Sequence, residues 1–221
     1  MDVERKRART VGVMLIIGTV AGMLSVAFTG SILGSPDYLT EISANTNDFV
    51  TGILLVLTMG LALAMVPVLL FPVFKKYNET LALGAVVFRG VLEAFLYIAL
   101  VISWLLLLSL SHEYVNAEPP KDFCFQLLGT LLIRAGDQIG QILAIVFSLG
   151  AMMIYYVFYQ SRFIPRWLSV WGLAGAVLYL AVPLSGMFNI EWEILYAPLA
   201  IQEMVLALWL IVKGFNTSVT L

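Results

Sequence analysis

Six runs of apolar residues follow one another along the chain, at about 11–33, 49–74, 81–110, 127–159, 167–187 and 194–212. A helix needs about 20 such residues to cross ~30 Å of hydrocarbon. Lipid offers no partner to a backbone amide, so a spanning segment must satisfy its own hydrogen bonds. The runs therefore predict an all-α, polytopic membrane bundle of six transmembrane helices, folded as one domain over residues 1–221. The connections are short, so neighbouring helices are expected to be antiparallel. No soluble domain fits between them. The fourth run is too long to span upright over 125–159, at ~52 Å of helix, and its outer limit stays open.

The first run follows Arg5, Lys6, Arg7 and Arg9. A signal peptide begins the same way, but its apolar core is only ~7–15 residues long. A retained first helix is expected. Gly18 and Gly22 within it form a GxxxG pair, which permits close helix packing; packing inside the bundle is favoured over dimerisation. Pro67, Pro183 and Pro198 fall inside the second, fifth and sixth runs, where proline bends a helix and frees a carbonyl.

The charges between the runs orient the bundle. Of twelve Lys and Arg, nine fall on one side: Arg5, Lys6, Arg7, Arg9, Lys75, Lys76, Arg162, Arg166 and Lys213. The other side holds Asp37, Glu41, Asp48, Glu113, Glu118, Asp122, Glu191 and Glu193, with Lys121 as its basic residue. The positive-inside rule then predicts both termini in the cytoplasm. The trend to single-sided charge concerns the membrane alone. The net charge of −2 says nothing about nucleic acid, but a DNA or RNA binder needs a basic stripe and none is present, so no nucleic-acid partner is expected. One cysteine and one histidine, Cys124 and His112, allow neither an intrachain disulfide nor a three- or four-ligand zinc site. His112 is expected in a solvated loop, and no metal or cofactor is expected.

A few charges remain inside the runs, where an ionised side chain at a helix centre costs roughly 2.5–3.5 kcal/mol even on the lowest scales. Counting from the ends of their runs, Arg89 lies ~12 Å deep, Glu93 ~18 Å and Glu203 ~14 Å. Arg89 and Glu93 are four residues apart and can pair on one helix. One guanidinium then faces two carboxylates, Glu93 and Glu203. The carboxylate left over, Glu203 or Glu93, must be protonated, hydrated or paired with a ligand; Glu93 is Arg89's nearest partner in the chain. Arg134, Asp137, Gln138 and Gln141 recur at spacings of three and four, which assigns them to one face of the fourth helix. That face is expected to line an outward-opening vestibule above the central charges. Tyr97, Met152, Met153, Tyr155 and Tyr156 could shape a pocket, although most such residues pack or sit at the interface.

Four stretches together carry a resemblance. They are Leu70-Phe71-Pro72-Val73-Phe74-Lys75-Lys76-Tyr77-Asn78-Glu79, Phe88-Arg89 with Glu93, Tyr159-Gln160-Ser161-Arg162-Phe163-Ile164-Pro165-Arg166-Trp167-Leu168, and Gln202-Glu203-Met204 running to Lys213-Gly214-Phe215-Asn216. In their order and spacing the chain resembles the prokaryotic multi-pass membrane family labelled domain of unknown function 4386. The resemblance implies a six-helix bundle in a bacterial or archaeal plasma membrane and brings no activity with it.

Three function classes compete. Binding or transport of a small charged ligand, proton-coupled through a midplane carboxylate, ranks first. Arg89, Glu93, Arg134, Asp137, Gln138, Gln141 and Glu203 are its candidate ligand-binding residues. Six helices are few for alternating access in one chain, so a homo-oligomer is expected with it. A protein that binds lipid or a membrane partner ranks second, with membrane lipids as expected partners. A membrane-embedded lipid-modifying enzyme ranks third, because no zinc ligands, Asp-rich motif or Gly-x-Ser-x-Gly pattern is present and no catalytic residue is assigned.

Overall fold

Six helices are long and apolar enough to cross a membrane, and the described residues contain no strand. The computed structural model describes residues 3–117, 123–188, 190 and 192–216. Glu118, Lys121, Asp122 and Glu191, counted above among the outer charges, lie outside them.

In order, the helices are α1 (Val3–Leu33), α2 (Tyr38–Ala44), α3 (Thr46–Phe74), α4 (Glu79–Ala85), α5 (Glu93–Asn116), α6 (Phe123–Ser161), α7 (Arg166–Gly186) and α8 (Ala197–Val212). A π-helical turn, Val86–Leu92, joins α4 to α5 as one span from Glu79 to Asn116. A 3-10 turn, Glu193–Tyr196, leads into α8. Pro198 sits in the first turn of α8, where a missing N–H has no partner to lose. The sixth span thus changes helix type at its start and is not kinked in its middle. Pro67 and Pro183 do lie inside α3 and α7.

The spans close a ring in chain order. α1 packs on α3, the span containing α5 packs on α3 and α6, α7 packs on α6 and α8, and α8 returns to α1. Lipid tails are as apolar as leucine, so close contact of small residues must supply the attraction between helices. Gly18 and Gly22 serve this purpose within the chain: a methyl on either would lie 2.6 Å from Leu63 or Met59 of α3. Gly12 does the same at the seam of the ring, 2.6 Å from the Ala207 carbonyl of α8 by that measure. Arg9 Nε donates to the Ile211 carbonyl across the same seam, at 3.2 Å.

The connections sort into two ends. At the basic end Lys76 pairs with Glu4 at 3.7 Å, and Asn78 caps α4 by accepting from the Leu81 N–H at 3.0 Å. Arg162 (φ 57°) and Gly214 (φ 74°) turn the chain through the left-handed region. Asn216 then ties the two turns together, donating from its backbone to Phe163 O and from Nδ2 to Arg162 O. Rings of Phe74, Tyr77, Phe158, Phe163 and Phe215 pack below this clamp. At the opposite, acidic end α2 lies against α5, where Ser111 Oγ donates to the Leu39 carbonyl at 2.6 Å. His112 is not in a loop: it belongs to the last turns of α5 and meets Thr46 Oγ1 at 3.0 Å.

Candidate functional site

The π-helical turn sets the centre of the bundle. Its widened turn is closed by the Glu93 N–H bonding Phe88 O, five residues back. A methyl on Gly150 of α6 would lie 2.9 Å from Arg89 Cβ and 3.1 Å from its backbone nitrogen. Glycine there lets α6 press directly on the π-turn. Gly90 faces Pro67 of α3 on another side. π-turns inside α-helices often mark functional positions, and this one carries Arg89 at its middle and Glu93 at its exit.

Arg89 and Glu93 are each 1% exposed. Arg89 Nη2 donates to Glu203 Oε1 of α8 at 2.9 Å, reaching across the centre of the ring. The guanidinium also lies over the ring of Phe147, 4.2 Å from its centroid. Among the described residues neither Glu93 carboxylate oxygen has a hydrogen-bond donor and Arg89 Nη1 has no acceptor. The expected pairing is therefore exchanged between the two acids. Glu203 reaches the guanidinium from the facing helix α8. Gln202 holds α8 in that aim, donating from Nε2 to the Leu168 carbonyl of α7 at 3.0 Å. Arg89 and Glu93 are buried, and the Glu203 side chain is 14% exposed.

Tyrosines surround the trio. Tyr97, Tyr155 and Tyr179 each lie close enough to interact electrostatically with Arg89 and Glu203. Glycines seat two of them: Gly60 of α3 lies under the Tyr97 ring, and Gly172 of α7 under the Tyr155 ring. Towards the basic end the ion pair meets a wall of Val11, Leu15, Val66, Leu70, Phe158 and Leu206. The void between is about 10 Å³, the space of roughly one water.

Towards the acidic end lies a much larger space, an open cavity of about 790 Å³. α1, α5, α6 and α7 and the turn before α8 enclose it, and Trp104, Asp137, Gln141, Glu193 and Tyr196 are among its walls. Tyr196 leans on Tyr179 with ring centroids 4.3 Å apart, and Tyr179 on Phe147 at 4.8 Å. A continuous column, Tyr196–Tyr179–Phe147–Arg89, thus runs from the cavity wall to the buried ion pair. Pro183 stands four residues after Tyr179 in α7, so the Tyr179 carbonyl has no amide proton to accept from that position.

The four residues of α6 divide into two stripes. Asp137 and Gln141 line the cavity, while Arg134 and Gln138 do not. At about 100° per residue the four span one arc of ~100°, with Asp137 at one edge and Gln138 at the other, and the cavity meets the Asp137 edge. Arg134 and Gln138 are exposed with Leu127 and Leu131 on the outside of the bundle. No ion pair joins Arg134 to Asp137 among the described residues. Trp104, Phe147, Tyr179 and Tyr196 are aromatic site residues that sequence reasoning missed. Their only signal was an aromatic side chain in an apolar run, which packing explains as well.

A family model described as Domain of unknown function (DUF4386) matches residues 10–214. No curated protein and no solved structure matches the chain.

Proposed function

The chain belongs to the DUF4386 family, which supplies no activity, and we propose from its own geometry that it binds and transports a small charged ligand, coupled to protons, through the Arg89–Glu93–Glu203 cluster. Glu93 carries the proposal. A carboxylate at the centre of a membrane bundle that accepts no hydrogen bond, beside an ion pair already formed, has no structural duty that an apolar residue would not serve better. Two carboxylates against one guanidinium leave the cluster short of one positive charge. A proton or a bound cation supplies it, and exchange of one for the other is the basis of coupling. The apolar wall on the basic side and the aromatic column on the acidic side support an occluded central site, with the 790 Å³ cavity as its entrance. We place the protein in the plasma membrane with the basic end cytoplasmic, on the charge distribution read above.

The test is proton movement in proteoliposomes carrying an internal pH dye. With a proton gradient imposed, small cations and anions are added in turn. At least one should dissipate the gradient in the wild type and not in Glu93→Gln. Identical traces for the two proteins across all additions would remove the proposal.

A second reading rests on a separate observation. Arg134 and Gln138 lie on the outer surface of α6 with the exposed Ile142 on their inward side, an arrangement suited to an anionic lipid headgroup above acyl chains. Exchange of bulk lipid for anionic lipid, read as a change in thermal stability that Arg134→Gln abolishes, separates this reading from the first.

A further inference from the structure

The cavity at the acidic end has a one-sided chemistry. Among the described residues its charged lining groups are Asp137 and Glu193, with no Lys, Arg or His beside them. Aromatic side chains come from Trp104 on α5 and Tyr196 before α8, and Gln141 adds an uncharged polar group. We infer that this cavity binds an organic ammonium ion, with its charge shared between Asp137 and Glu193 and its carbon substituents against Trp104 and Tyr196. The inference rests on the transport reading for the cavity's role as an entrance and deepens it by naming the ligand class.

Three features decide the class. Sign comes first: an anion would meet two carboxylates at the entrance and a further net negative charge at the trio below. Glu93, fully buried and without a hydrogen-bond donor, extends the same demand for positive charge to the end of the route. Size comes second. A volume of about 790 Å³ lies in the range of ~300–1,000 Å³ that small organic ligands occupy. A bare metal ion would need ligands converging on one point, and among the described residues no three of His, Cys, Asp and Glu gather in that way. The third feature is the walls. Trp and Tyr faces attract quaternary and alkylated ammonium groups through the ring quadrupole, with Trp the strongest. The column from Tyr196 through Tyr179 to Phe147 continues these faces inward, and at its end Arg89 already occupies a cation's position over Phe147.

The experiment uses the full chain in nanodiscs with defined probes: choline, tetraethylammonium, sodium, and 3,3-dimethylbutan-1-ol, the neutral carbon isostere of choline. Binding is read by calorimetry and by the shift in thermal midpoint. Choline or tetraethylammonium should bind and raise the midpoint, while sodium and the isostere should not. Asp137→Asn, at an exposed position that leaves packing untouched, should weaken ammonium binding about tenfold or more. Tyr196→Leu should do the same, and Tyr196→Phe should not. The inference is overturned if no ammonium probe binds, if the isostere binds as well as choline, or if Asp137→Asn binds like the wild type. The two proposals fail separately. Ammonium binding without any flux leaves this inference standing and removes transport. Flux of an anion alone leaves transport standing and removes this inference.

Discussion

Arg89 and Glu203, 114 residues apart in the chain, meet at 2.9 Å in the middle of the bundle, while Glu93, four residues from Arg89, accepts no hydrogen bond. Removing one partner of a buried pair strands the other, at a cost of about 3–5 kcal/mol. Glu203→Gln should therefore lower stability by an amount of that order. Glu93→Gln removes a carboxylate that no donor satisfies, so its effect should stay within ~1 kcal/mol or be stabilising. Denaturant titration of both variants in mixed micelles decides the matter. Equal losses would show that Arg89 divides itself between the two acids.

Tyr179 stands between Tyr196 at the cavity wall and Phe147 beside Arg89, and is expected to separate the cavity from the ion pair. Ser148, fully buried on α6 next to Phe147, offers a conservative reporter as Ser148→Cys in a Cys124→Ser background. Its reaction with a small cationic thiol reagent should be slow with Tyr179 present and at least about tenfold faster in Tyr179→Ala, the change expected when a local opening is made easier by ~1.4 kcal/mol. Ser161→Cys, equally buried at the basic end, should keep its rate. Acceleration at both positions would mean general loosening and not an opened gate.

Gly150 and Gly140 form a matched pair on α6. Alanine at Gly150 drives a methyl into Arg89 and should cost ~1–3 kcal/mol through overpacking. Alanine at Gly140 meets nothing within 4 Å and should be neutral or mildly stabilising. Thermal unfolding of the two variants checks the pressure of α6 on the π-turn.

Orientation is tested at Cys124, exposed in the first turn of α6 at the acidic end. A membrane-impermeant thiol reagent should label it in intact cells. A cysteine placed at Asn78, in the basic-end turn, should stay unlabelled until the cells are opened. The reverse pattern would invert the bundle.

Much of the fold was legible because lipid imposes a simple rule: length and apolarity define a span, and Lys and Arg mark the connections. The central position of Arg89, Glu93 and Glu203 followed from depth along each run. Their pairing did not, because it depends on how α8 is aimed by Gln202 and Leu168, 34 residues apart in the chain. The π-turn left no mark in the sequence. Pro67 and Gly150 pack against it from two other helices, contacts that no local pattern encodes. α2 escaped notice because seven residues are too few for helical periodicity to register. On α6, spacings of three and four were merged into one face, although Asp137 and Gln141 turn inward and Arg134 and Gln138 outward.

The distance in sequence between Arg89 and Glu203 is also a delay in time. At about 5–20 residues per second, a ribosome makes Glu203 some 6–23 s after Arg89. The third span reaches the bilayer long before the sixth. Throughout that interval the carboxylate the chain has already made, on the same helix and four residues away, is Glu93. The nascent guanidinium is thus synthesised beside a local counter-ion and passes to its lasting partner only when the ring closes.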